Sequence, residues 1–185
     1  MSFDHVALIG LMGSGKSAVG GLVAATVGWS LVDVDDEILV RTGQSVRDLW
    51  ESGGEDAYGP LERRIVLEAL APPPGRVLAA PGGAVLDQEA TLALGQPHVA
   101  VVYLRAEPAT LAARISRDDQ PRPLLGPDPG ATLRTMHAER SSRYEALADR
   151  VEDVEERTPE QIAASVVDAF RGELTAAERR PDARG

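Results

Sequence analysis

Residues 5–18 read H-V-A-L-I-G-L-M-G-S-G-K-S-A. An apolar run suited to a buried strand passes directly into three glycines, a lysine and two serines. Gly10, Gly15, Lys16 and Ser17 fall in the spacing G-x-x-x-x-G-K-S, with Gly13 and Ser14 inside it. Glycines at a strand-to-helix turn let successive backbone N–H groups face a phosphate, and the following helix adds its positive end. In such a cradle the lysine reaches the β- and γ-phosphates and the serine hydroxyl ligates Mg²⁺. A glycine-rich turn could merely connect strand to helix. The apolar strand before it and the amphipathic helix after it favour nucleotide binding.

The rest of the chain repeats that alternation of short apolar runs and helical patterns, which predicts βαβ units around a parallel sheet. Strands are expected at 5–9, 31–35, 77–80, 98–104 and about 150–155. Helices are expected at about 15–27, 35–41, 45–52, 60–70, 87–94, 107–117, 131–148 and 159–171. Pro72-Pro73-Pro74-Gly75 resets the chain before the third strand. Gln120-Pro121-Arg122-Pro123 and Gly126-Pro127-Asp128-Pro129-Gly130 cannot continue a helix, so they read as one long functional loop. The chain reads as one domain over residues 1–171, with a polar, fraying tail at 172–185.

Composition narrows the function. The 185 residues are 43% hydrophobic and 26% charged, an ordinary globular balance. There is no cysteine, which excludes disulfides, thiolate metal sites and a thiol nucleophile and fits a reducing cytosol. No secretory signal or membrane-length apolar run appears. A net charge of −10 disfavours nucleic acid and anionic lipid as partners. A bound polyanion must therefore be held by local cations. Of the 19 basic residues 18 are arginine, and the one lysine is Lys16. In so arginine-rich a chain, that slot looks required by chemistry.

The second expected strand ends in acids, Leu31-Val32-Asp33-Val34-Asp35-Asp36. Strand C-termini line the ligand crevice of an open parallel sheet. Asp33 and Asp35 would share one face of an extended segment, with Asp33 serving the Mg²⁺ shell and Asp35 the acceptor hydroxyl. The lesser reading makes Asp33, Asp35, Asp36 and Glu37 all helix N-terminal charges. A GTPase reading fails for want of a second lysine for its base-reading motif.

The ordered series GLMGSGKS (10–17), LVDVDDEI (31–38), RTGQSVRDLWESGGE (41–55), PGGAV (81–85), RPLL (122–125), RSSRY (140–144) and DVEERTPEQIA (153–163) resembles the shikimate kinase family over about residues 5–171. The resemblance implies an α/β P-loop NTPase fold of three layers, α/β/α, with a five-stranded parallel sheet of order 2-3-1-4-5. It also implies a lid over about 114–130. The implied activity is transfer of the γ-phosphate of ATP to the 3-hydroxyl of shikimate, with Mg²⁺. Residue by residue, Gly13, Ser14, Gly15, Lys16, Ser17 and Ala18 would hold the ATP phosphates, and Ser17 and Asp33 the metal. Asp35 would hold and deprotonate the acceptor, with Gly82, Gly83 and Arg140 beside it. Arg122 would be the catalytic lid arginine, and Arg114 and Arg157 would lie on the adenine side. Arg140 and Arg143, with Glu139 and Glu145 nearby, also read as surface ion pairs. The expected partners are ATP and a small anionic hydroxyl compound, without nucleic acid or membrane, for a cytoplasmic monomer.

Three positions depart from that family's pattern. Gly59 stands where a second carboxylate-binding arginine is expected, Pro81 replaces a glycine, and Ala18 a threonine. Pro60 is expected to begin its helix, and Arg63, one turn on, is the candidate replacement cation. A kinase of a related cyclitol or sugar acid, or an ATP-binding regulator without turnover, are the other readings.

Overall fold

The computed structural model describes residues 2–117 and 125–174. Five parallel strands form one sheet in the order β2-β3-β1-β4-β5. They are β1 (His5–Ile9), β2 (Ser30–Asp33), β3 (Arg76–Ala79), β4 (Val99–Arg105) and β5 (Arg150–Asp153). Every residue of β1 is buried, as its central place requires, and Ala7 pairs Leu78 on one side and Val101 on the other. Strands covered on both faces read as continuous apolar runs, which is why β1 and β4 were legible.

The described helices are α1 (Lys16–Val27), α2 (Val34–Thr42), α3 (Val46–Gly53), α4 (Glu55–Ala69), α5 (Gln88–Leu94), α6 (Pro108–Ile115), α7 (Pro129–Leu147) and α8 (Pro159–Ala169), with a 3₁₀ turn at Ala84–Leu86. Helix α1 lies on the sheet face that carries Leu8, Leu31 and Val77, where a Cβ on Gly20 would meet their side chains within 3.7 Å. Helix α8 packs against α1, while α4 and α7 meet the sheet at β3 and β4. Beyond α8, Phe3 donates its N–H to the Glu173 carbonyl (2.6 Å) and stacks edge-on against Phe170, so residues 172–174 are tied to the start of the chain.

Most boundaries shift by a residue or two from the expected ones, and three differences have a clear cause. Strand β2 stops at Asp33, because that side chain accepts the Asp35 N–H (3.1 Å) and caps α2. Asp35 therefore sits in the first helical turn, not on an extended face shared with Asp33. Helix α4 begins at Glu55, five residues before Pro60, because Gly54 at φ +62° turns the chain straight out of α3. Helix α7 takes Pro129 and Gly130 into its first turn, where a proline lacks only an N–H that would be unpaired anyway, and Asp128 caps it.

Candidate active site

One large cleft, of about 1320 Å³, opens at the C-terminal ends of β1, β2 and β3. The phosphate loop forms its floor. A Cβ on Gly10 would stand 2.7 Å from the Leu104 carbonyl, so the loop can leave β1 this closely only as glycine. Gly15, at φ +93°, is the N-cap of α1, and a Cβ there would meet nothing within 4 Å. Lys16 donates to the carbonyls of Gly10 (2.8 Å) and Leu11 (3.0 Å), which hold the ammonium over the loop. Gly13, Gly15, Lys16, Ser17 and Ala18 line the cleft. Ser14 is buried beneath it, with a hydroxyl that finds no hydrogen-bond partner among the described residues.

Asp33 and Asp35 enter the same cleft from the cap and first turn of α2. Helix α4 supplies the facing wall through Glu55, Tyr58, Gly59, Pro60, Glu62 and Arg63. The spacing 55, 58, 59, 62 is one helical stripe. Burial pushes the Glu62 carboxyl up to about 8; Asp35 and Glu55 push it the same way and Arg140 opposes them. The Tyr58 phenol is driven up to about 12, first by burial and then by Glu62 and Glu55. Arg63 is half-buried at the cleft edge, with Nη1 3.3 Å from the Asp87 carboxylate.

Gly82 and Gly83, after β3, and Arg140, from α7, also line the cleft. Arg140 Nη1 donates to the Gly82 carbonyl (3.3 Å) and its Nε pairs with the Glu139 carboxylate (3.3 Å); the side chain is 16% exposed and lines the cleft while keeping one of the expected ion pairs. Tyr144, one turn further, donates its hydroxyl to the same carbonyl at 2.6 Å and stacks on Tyr103. Two side chains thus pin one glycine of the turn.

Arg114, near the end of α6, lines the cleft beside Gly13 and donates to the carbonyls of Val154 and Glu155 (3.4 Å to the latter). Arg157 goes elsewhere. Its guanidinium binds the Glu152 carboxylate and donates to the Gln161 carbonyl (2.9 Å), and it is not among the residues lining the cleft. Arg122 lies outside the described residues.

A phosphate loop with its lysine, a facing pair of aspartates and an inward arginine suit transfer of a phosphoryl group to a small acceptor. The shikimate kinase family model matches residues 12–171. The chain belongs to the shikimate kinase family. The shikimate kinase of Thermobifida fusca is 42% identical over 84% of this chain and 88% of its own. That of Streptomyces avermitilis is 38% identical over 92% and 97%. Among solved structures, the shikimate kinase of Acinetobacter baumannii in complex with shikimate superposes with a TM-score of 0.84, at 28% identity over 91% of this chain and 93% of that one. The shikimate kinase fold is therefore shared almost from end to end.

Sequence reasoning gave no role to Glu62 or Tyr144. Helical arithmetic offers a signal for each: Tyr144 is four residues after Arg140, and Glu62 is three after Gly59, so each repeats a face already assigned.

Proposed function

We propose that the chain transfers the γ-phosphoryl group of ATP to the 3-hydroxyl of shikimate, giving ADP and shikimate 3-phosphate. The observation that carries this reading is a single cleft, in a chain of the shikimate kinase family, that joins Lys16 and its loop to Asp35 and Arg140. Phosphoryl transfer depends on positioning and charge stabilisation more than on covalent chemistry.

The amides of Gly13 to Ala18 hold the phosphates, and Lys16 moves from loop carbonyls to the β/γ bridge. Asp35 receives the proton of the attacking hydroxyl, while Arg140, with Gly82 and Gly83, holds the acceptor carboxylate. Arg63 is the further cation on that side, shared with Asp87. Arg114 faces the nucleotide base. Ser17 and Asp33 present a hydroxyl and a carboxylate to one cleft, a donor set that suits Mg²⁺, which takes one or two protein oxygens along with phosphates and water. Bound there, Mg²⁺ would neutralise charge on the phosphate oxygens. These roles place every cationic group against an overall negative chain, where local donors must outweigh the field.

The test is ADP release from purified protein with and without shikimate. Release that requires shikimate, and falls with Asp35→Asn while ATP still binds, is the expected result. Release indifferent to shikimate would overturn the acceptor assignment.

A further inference from the structure

Glu152, on β5, is the most buried carboxylate described, 3% exposed, and takes no part in the chemistry proposed above. It is fully partnered. One oxygen accepts from Arg150 Nε (2.6 Å) and from the Ser165 hydroxyl of α8 (2.8 Å); the other accepts from Arg157 Nη1. Arg157 then reaches on to the Gln161 carbonyl at 2.9 Å, in the first turn of α8. Thr158 and Gln161 cap that turn reciprocally. The guanidinium thus bridges the two ends of the segment 154–158, from strand to helix.

The outer side of the same segment holds α6 at both ends. The Glu155 carboxylate accepts from the Glu107 N–H (3.1 Å) and the Thr110 hydroxyl (2.9 Å), where α6 begins without a side-chain cap of its own. The carbonyls of Val154 and Glu155 accept from Arg114, one residue before α6 ends. The last residue of α6, Ile115, rests on the phosphate loop: a Cβ on Gly13 would stand 3.1 Å from its side chain. A shift of segment 154–158 would therefore move both Arg114 and the helix that packs on Gly13.

We infer that Glu152 is a positioning residue for the nucleotide: by clamping Arg157 it fixes segment 154–158, which aims Arg114 into the cleft and seats α6 on the phosphate loop. Arg157 is then a strut beneath the nucleotide edge and not a contact with ATP. The inference rests on the reading of Arg114 as a nucleotide contact. A carboxylate at position 152 is matched to its work, because two guanidiniums and a hydroxyl converge on it and all three lose a charge-assisted bond if it is neutralised.

The experiment measures ADP affinity by calorimetry, and the KM values for ATP and shikimate, in Glu152→Gln, Arg157→Ala, the double variant and Arg114→Ala. Loss of one charged hydrogen bond's worth of alignment predicts about tenfold weaker ADP binding and a similar rise in the KM for ATP. The KM for shikimate should stay within about twofold, because Arg140, Tyr144 and Gly82 touch none of these residues. The double variant should be no worse than the worse single one, since both break the same clamp. Three results would overturn the inference: Glu152→Gln silent while Arg157→Ala weakens ADP, which makes Arg157 a direct contact; both silent while Arg114→Ala weakens ADP; or a parallel rise in both KM values, which marks general loosening. Arg114→Ala silent refutes the reading of Arg114 itself. If Glu152→Gln yields no folded protein, Ser165→Ala replaces it; it removes one bond to Glu152 far from the cleft and should raise the KM for ATP by about threefold, a silent result again refuting the clamp.

Discussion

Pro60 sits inside α4, five residues after the helix starts, and lines the cleft beside Gly59. It lacks the N–H that would bond the Asp56 carbonyl, and its ring crowds that carbonyl. Relative to alanine, a proline in a helix interior costs about 3 kcal/mol. Proline also stiffens the unfolded chain, which returns about 0.4–1 kcal/mol of stability. Pro60→Ala should therefore stabilise the fold by about 2 kcal/mol. For a chain of this size each kcal/mol moves Tm by about 2–4 °C, so the expected rise is about 4–8 °C by scanning calorimetry. The substitution also releases its neighbour. A residue before proline is disfavoured in helical backbone, whereas a Cβ at Gly59 would meet only Glu55 Cγ, at an ordinary 3.7 Å. On the Pro60→Ala background, Gly59→Arg should then add a cation one turn from both Glu55 and Glu62 and lower the KM for shikimate about tenfold, the lower end for a charged hydrogen bond. A Tm that stays level or falls in Pro60→Ala would refute the strain argument. An unchanged KM in the double variant would refute the idea that the acceptor side lacks a cation at this place.

Lys16→Met should leave the fold intact and reduce turnover about 10²–10³-fold, since one preorganised donor at developing charge supplies that much; near-normal kcat would remove the loop from catalysis. Asp35→Asn should cost about 10²-fold or more in kcat with ATP affinity retained, and loss of ATP binding would make Asp35 a residue of the fold. Glu62 carries a pH signature. Its folded value, about 8, lies above the ordinary 4.5, so between those limits the folded chain holds a proton that the unfolded chain releases, and this site's contribution to stability falls as pH rises. Glu62→Gln should remove that decline, so its Tm advantage over wild type grows between about pH 5 and pH 9; a gap that does not change with pH would refute it.

The sheet was legible because its signals are local. An apolar run, a glycine spacing and a single lysine lie within fourteen residues, and parallel strands buried on both faces need no partner in view to be read. The misreadings arose where the deciding neighbour is distant or where one backbone angle decides. Pro60 was placed at a helix start by the usual preference, but the turn at Gly54 lets α4 begin earlier and carry the proline inside. The run from Asp33 to Asp35 reads as extended, and a side-chain cap on Asp35 N–H bends it into a helix. Two of the charges around Glu62, Asp35 and Arg140, come from α2 and α7, which no spacing along α4 can report. Arg157 reads as one more cation near the nucleotide, and its guanidinium binds Glu152 of β5, only five residues away, a pairing that its spacing alone does not announce.

Lys16 gives the molecule a built-in reporter. With no other lysine in 185 residues, a sample grown with side-chain-labelled lysine would show one ammonium signal, and it would come from the floor of the cleft. Because that nitrogen is held by the carbonyls of Gly10 and Leu11, its exchange with a phosphate oxygen would be visible directly, free of overlap. Amine-directed reagents would meet one side chain besides the α-amino group, and nucleotide in the cleft would shield it. Occupancy of the cleft could be followed in purified labelled protein without altering a single residue.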